Sequence, residues 1–258
     1  MLRYLRFGMA CCGLISAGPV YSALSLVNAA DSQVGWLAPN AIASLYGTGL
    51  AYTTRGLTKA DLQGGAQLPT TLPGTGVTIL VNGLAAFPYY ISPKQVNFLI
   101  PSNLLAAPVN VQLVVDGVAG PLISVTLGPT APALFELDPQ TAVAVRPDGS
   151  VIDASTPAAP GDWAILYGNA LGPVRPPVPP GQIAPGAAQI QTLGFVLSLD
   201  GVMVPPGSVE YVGAAPGFAG LYQINLLIPP GTGPNPEIRI GVNDKMSRTG
   251  LHLPVQLP

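Results

Sequence analysis

Leu45-Tyr46-Gly47-Thr48-Gly49-Leu50 recurs further along the chain as Leu166-Tyr167-Gly168-Asn169-Ala170-Leu171. The likeness extends outward from this pair in both directions. Ala38-Pro39 stands before the first copy and Ala159-Pro160 before the second. Beyond them, Gln95-Val96-Asn97-Phe98-Leu99-Ile100-Pro101 is matched by Gln223-Ile224-Asn225-Leu226-Leu227-Ile228-Pro229. Val81-Asn82-Gly83 answers Leu199-Asp200-Gly201, residues 111–116 answer 238–243, and Val27-Asn28-Ala29-Ala30 is echoed by Val151-Ile152-Asp153-Ala154. Matches that keep their order describe one unit used twice. Each copy spans about 110 residues, the size of an immunoglobulin-type sandwich.

Within each copy the apolar residues alternate as in strands. Val77, Ile79 and Val81 alternate with Thr78 and Leu80, and Asn82-Gly83 then supplies a tight hairpin turn. Val96, Phe98 and Ile100 form a second alternating set, with Gln95 and Asn97 on the opposite face. Val111, Leu113 and Val115 lead into Asp116-Gly117, and Phe195, Leu197 and Leu199 lead into Asp200-Gly201. Residues 146–150, Arg-Pro-Asp-Gly-Ser, read as another hairpin turn, and only residues 57–63 offer a helical turn. The predicted fold is all-β, with two tandem immunoglobulin-like β-sandwich domains after a signal peptide. The expected boundaries are 1–22 for the signal peptide, 23–133 for the first sandwich and 134–258 for the second.

Composition agrees with that reading. The chain of 258 residues carries 31 Gly and 30 Pro, but it is 48% hydrophobic and only 9% charged, so the Gly and Pro serve as turns between apolar strands and not as marks of disorder. A net charge of −2 gives no purchase on nucleic acid. Arg3 and Arg6, the short apolar run at 7–17 and Val20-Tyr21-Ser22 read as an export signal cleaved before Ala23. Cys11 and Cys12 would leave with it, so the mature chain is expected to hold neither a disulfide nor a thiolate. No run is long enough to span a bilayer.

The segments Asn28-Ala29-Ala30, Leu45-Tyr46-Gly47-Thr48-Gly49-Leu50, Gln95-Val96-Asn97, Ala215-Pro216-Gly217-Phe218 and Gly220-Leu221-Tyr222-Gln223-Ile224-Asn225 together resemble a C-terminal domain of secreted acidobacterial proteins named after Solibacter. The resemblance covers nearly all of the mature chain. It implies tandem IPT/TIG-like immunoglobulin folds, secretion and a role at the cell surface. It carries no activity and no functional residues.

The residues that bear chemistry are few. His252 is the one histidine, and no Gly-x-Ser-x-Gly elbow supplies a nucleophile for it, so it reads as a half-exposed strand residue. Asp138, Asp148, Asp153 and Asp162 lie close in sequence, where calcium binding or glycosidase chemistry would need them, but their neighbours place them in turns. Tyr46 and Tyr167 are expected to pack their rings and bond their hydroxyls to a loop. Gln95 with Asn97, and Gln223 with Asn225, are expected to tie loop backbone, with sugar binding as the rival reading. Trp36 and Trp163 read as core or junction residues, Trp163 at an inward position matching Ile42. Two long insertions follow the Tyr-Gly motif. Residues 52–73 hold Arg55, Lys59 and Asp61, and residues 173–191 open Pro173-Val174-Arg175-Pro176-Pro177-Val178-Pro179-Pro180. Loops of a rigid scaffold are the first place to expect partner contact.

The expected function is a non-catalytic extracellular or cell-surface module for adhesion, matrix or envelope assembly. The alternatives are a carbohydrate-binding protein and a hydrolase with an unfamiliar carboxylate site. No catalytic residue, metal ligand or cofactor is predicted, and the ligand-binding residues are left open. The expected partners are an extracellular polysaccharide or a surface protein, with no nucleic acid and no membrane span.

Overall fold

The computed structural model describes residues 22–191 and 194–256. The expected signal peptide lies outside them except for Ser22, as do both cysteines. The chain is all-β and its strand pairings are antiparallel. In the first half, a five-stranded sheet runs Ser22–Asn28, Ile42–Thr48, Gln95–Leu99, Phe87–Ile91, Arg55–Gly56. It faces a four-stranded sheet of Leu84–Ala85, Val77–Val81, Pro108–Val115 and Val118–Thr126. The second half repeats the plan. A larger sheet runs Ala133–Leu134, Trp163–Asn169, Tyr222–Leu227, Val209–Ala214, Ala188–Ile190, Val174–Arg175, with Ala144–Val145 also on the Trp163 strand. It faces Val202–Met203, Phe195–Leu199, Ile238–Val242 and Lys245–Met246.

The repeat is kept at the level of register. Tyr46 pairs with Gln95, Ser44 with Asn97 and Ala43 with Phe98. Tyr167 pairs with Gln223, Ile165 with Asn225 and Ala164 with Leu226. In the smaller sheets Ile79 pairs with Leu113 as Leu197 pairs with Ile240. Asn82-Gly83 and Asp200-Gly201 both take left-handed backbone, at φ 48° and 79° and at φ 49° and 75°, which is the tight hairpin geometry their sequences called for. Strand alternation then builds two apolar clusters. One joins Leu45, Val96 and Phe98 to Ile79, Val111 and Leu113, and the other joins Leu166, Ile224 and Leu226 to Leu197, Ile238 and Ile240. The expected helical turn is the short 3-10 helix Lys59–Asp61.

Two expectations are corrected. Leu26 stands opposite Leu45 as Ala144 stands opposite Leu166, so Val27 corresponds to Val145 and not to Val151. The cause is a hairpin: Val27 bridges Val34 and Val145 bridges Val151, and the sequence match mistook the returning arm for the outgoing one. The Arg146 turn between those arms closes through Gly149 N–H to Arg146 C=O at 2.9 Å. Trp163 is also displaced from its expected inward position. Ala164 and Leu166 are the buried residues of its strand, so Trp163, Ile165 and Tyr167 face away from the core.

The two insertions meet each other and form part of the junction between the halves. Leu68 N–H donates to Gly181 C=O at 2.9 Å, Ile183 N–H to Ala66 C=O at 2.8 Å, and Gln67 Nε2 to Pro180 C=O at 3.1 Å. A third apolar cluster forms there from Leu68, Phe87, Leu99 and Ala219, with Ile42, Leu62 and Ile183 against it. Deleting either insertion is therefore expected to loosen the junction. Gly181 and Gly220 allow the close approach: a Cβ on Gly181 would stand 2.3 Å from the Phe87 ring, and one on Gly220 2.2 Å from Leu99 Cδ1. Gly220 also has φ 67°, which an L side chain adopts with strain. Gly220→Ala is expected to destabilise the protein by about 1–3 kcal/mol through overpacking and backbone strain. Hydrogen exchange should show the protection loss concentrated at the Ile183 and Leu68 amides; a loss spread evenly over both cores would contradict this.

Beside that cluster lies a buried amide pair. Asn28 and Asn169 are both 0% exposed. Asn169 Nδ2 donates to Asn28 Oδ1 at 2.7 Å and to Ile42 C=O at 2.8 Å, and its Oδ1 accepts Ile42 N–H at 3.0 Å. Asn28 Nδ2 donates to Trp36 C=O at 3.1 Å and Ala131 C=O at 3.2 Å, while Ala30 N–H donates to its Oδ1 at 3.0 Å. Trp36 reaches across the same seam, its Nε1 donating to Pro132 C=O at 3.3 Å with Lys245 Nζ 5.8 Å from its ring centre.

Candidate functional site

The carboxylates named from the sequence are occupied in their own turns. Asp148 Oδ1 accepts Ser150 N–H at 2.9 Å, Asp138 Oδ1 accepts Gln140 N–H at 2.8 Å, and Asp162 Oδ2 accepts Ala159 N–H at 2.9 Å. Asp153 accepts four donors from Ser155 and Thr156, which hold its pKa down to about 2. These are turn-stabilising geometries, and a carboxylate held ionised this way is a poor proton donor. His252 is half-exposed on an edge, its Nδ1 3.4 Å from Gln140 C=O. Among the described residues no group of three or more His, Cys, Asp or Glu is placed to hold a metal ion, and no helix is long and apolar enough to cross a membrane.

The amides lead to a different surface. Gln95 Nε2 donates to Asn97 Oδ1 at 2.8 Å, and Gln223 Nε2 donates to Asn225 Oδ1 at 2.8 Å. They bond to each other and not to loop backbone as expected. Each pair keeps the Gln carbonyl oxygen and an Asn N–H outward on a half-exposed face. The neighbouring tyrosines also differ from expectation: among the described residues the Tyr46 and Tyr167 hydroxyls bond to no loop. Tyr222 does so: it is fully buried, donates to Gly172 C=O and has its pKa pushed up to about 12 by burial.

In the second half these residues belong to a long row. Register carries Tyr167 to Gln223, Gln223 to Gly213, Gly213 to Gln189 and Gln189 to Arg175. Residues paired across antiparallel strands point the same way, and their neighbours Leu166, Ile224, Ala214, Ala188 and Val174 are buried, so the row lies on the outer face. Five strands at about 4.8 Å spacing make it roughly 19 Å long. Tyr211, opposite Asn225, lies over its middle. A Cβ on Gly213 would stand 2.5 Å from the Tyr211 hydroxyl oxygen, so the phenol end of the ring covers the glycine. That hydroxyl donates to Ala214 C=O at 2.7 Å and accepts Ala188 N–H at 3.1 Å. The ring is thus pinned along the sheet while the residue remains half-exposed. Beyond it, Arg175, Gln189, Ile190 and Gln191 line a recess of about 430 Å³.

The first half keeps only part of this arrangement. Tyr90 stands opposite Asn97 as Tyr211 stands opposite Asn225. Ser92 occupies the place beside Gln95, its Oγ taken up by Gln95 C=O at 3.1 Å. Arg55 is held by Asp61 at 2.5 Å. Phe87 and Leu99 on that face are buried by the junction, and Tyr89 donates to Ala219 C=O at 2.5 Å.

No family model matches the chain, and no curated protein matches its sequence. The solved structures to which the chain shows a distant likeness include two surface glycan-binding proteins. One is PbSGBP-B from Prevotella bryantii, at 10% identity and TM-score 0.27, over 89% of this chain and 41% of that one. The other is SGBP-B of the Bacteroides ovatus mixed-linkage glucan utilization locus, solved with a mixed-linkage heptasaccharide, at 12% identity and TM-score 0.35, over 86% of this chain and 43% of that one.

Proposed function

We propose that this chain is a non-catalytic, carbohydrate-binding module of the cell exterior, built of two sandwich units at 23–133 and 134–258 and related in design to the Solibacter-type domains. The observation that carries the reading is the outer row of the second half. A sugar ring offers an apolar C–H face and an edge of hydroxyls. Tyr211 and Tyr167 offer aromatic surface for the face, and Gln223, Asn225 and Gln189 offer donors and acceptors for the edge. The ring of Tyr211 is already fixed by two hydrogen bonds, so little side-chain entropy is lost on binding. A row that crosses five strands suits an extended chain better than a single sugar.

The test is titration calorimetry of the protein against a panel of soluble oligosaccharides. Tyr211→Ala is expected to weaken binding about tenfold or more, as for a central aromatic anchor, with the strand signature in circular dichroism retained. Tyr46→Ala, on the equivalent but shorter face of the first half, should leave affinity unaltered. An affinity that ignores both Tyr211→Ala and Tyr167→Ala would rule this face out.

A further inference from the structure

We infer that the glycan is acidic, and that Arg175 receives the carboxylate of a uronic acid unit at the end of the row. The inference rests on the carbohydrate-binding reading and adds the charge class of the ligand. Five arginines lie among the described residues, and four have their guanidinium groups engaged. Arg55 holds Asp61, and Arg248 holds Glu136 at 2.6 Å. Arg146 donates to Val151, Thr156 and Pro157 carbonyls, and Arg239 to Ser247 C=O. Among the described residues Arg175 has no side-chain partner, and it is exposed.

Its placement is specific. Arg175 pairs with Gln189, so it continues the line of Tyr167, Gln223 and Gly213 on the same face. It lines the recess with Gln189 and Gln191, beyond the pinned ring of Tyr211. A neutral sugar needs no charge there. A carboxylate accepts two parallel N–H bonds from a guanidinium, and it does so better from arginine than from a lysine point charge. The chain after Arg175 runs Pro176-Pro177, which has no N–H to extend the sheet, so the edge stays open to a ligand and closed to another strand. In the first half Arg55 pairs with the buried Ile91 and is held by Asp61, so it is not the counterpart of Arg175 on the outer face.

The experiment titrates the whole protein with an oligogalacturonate, with a neutral hexose oligomer of equal length, and with a sulfated oligomer. The oligogalacturonate is expected to bind most tightly, and its affinity to fall as salt is raised. Arg175→Gln should weaken the oligogalacturonate about tenfold and leave the neutral oligomer unchanged. Arg175→Lys should recover only part of that loss. Tyr211→Ala should weaken both. Binding of the neutral oligomer with no preference for the acidic one, or an Arg175→Gln variant indistinguishable from the parent, would overturn the inference and leave the carbohydrate face standing. A sulfated oligomer that outcompetes the oligogalacturonate would overturn it as well. No binding to any of the three would remove the carbohydrate reading itself.

Discussion

Phe98→Ala should lower the free energy of unfolding by about 3–5 kcal/mol, from lost apolar transfer and the cavity left behind. Phe98 is 0% exposed and the largest fully buried apolar side chain of the first half, packed among Leu45, Ile79, Val96 and Leu113. Its strand neighbour across the sheet is Ala43, too small to collapse into the space. Leu226 fills the matching place opposite Ala164, and Leu226→Ala should cost about 2–5 kcal/mol by the same mechanism. Urea melts followed by tryptophan fluorescence would measure both. A midpoint that does not move in Phe98→Ala would mean that the wrong face of the Gln95–Leu99 strand has been placed in the core.

Asn169→Ala is the second large effect. The substitution removes the acceptor of Ile42 N–H and one of the two donors to Ile42 C=O, which keeps Ala29 N–H at 3.0 Å. It also removes one donor to Asn28 Oδ1 inside a fully buried pair. The orphaned Ile42 N–H costs about 1–3 kcal/mol, and the donors lost to Ile42 C=O and Asn28 Oδ1, each of which keeps one backbone partner, add to that. Asn28→Ala should be comparable, and the double variant should lose less than the sum of the two, because the first change already breaks the shared bond. Asn169→Asp should be no milder: it restores the acceptor for Ile42 N–H but brings a carboxylate into a site with no cation. Additive losses from Asn28→Ala and Asn169→Ala would show that the two amides act separately.

Fold and site were legible in the sequence to different depths. Strand identity and register could be read because alternation and turn chemistry leave local traces: Asn82-Gly83 and Asp200-Gly201 mark hairpins whatever surrounds them. The acidic residues could be placed in turns for the same reason, since an Asx bond reaches only two or three residues along the chain. Trp163 was misplaced because alternation alone does not say which face is inner; the bulky residue lies outside and Ala164 inside. The junction was invisible. Gly220 and Leu99 lie far apart in the chain, and no local pattern announces that one approaches the other. The outer row was half visible. Gln223 and Asn225 drew notice through the repeat, but Tyr211 has as its only trace the spacing Tyr211-Val212-Gly213, which on a strand sets a ring over a bare backbone. Arg175 lies in a proline-rich stretch that reads as a loop, and only the pairing with Gln189 brings it onto the sheet.

Two sheets with one register also set a problem of kinetic partition. While the chain is still collapsing, the Ile42–Thr48 strand meets two candidate complements, Gln95–Leu99 and Tyr222–Leu227, with nearly the same pattern of large, small and amide side chains. Misassembly between like units is a characteristic failure of tandem chains. Proximity favours the right choice, because the shorter loop closes at lower entropic cost. Volume reinforces it: Phe98 and Leu226 are not interchangeable against the cores that receive them. The Asn28–Asn169 bond can form only after both sheets have chosen correctly, so it acts as a proofreading contact that rewards the correctly sorted chain and gives nothing to the crossed one.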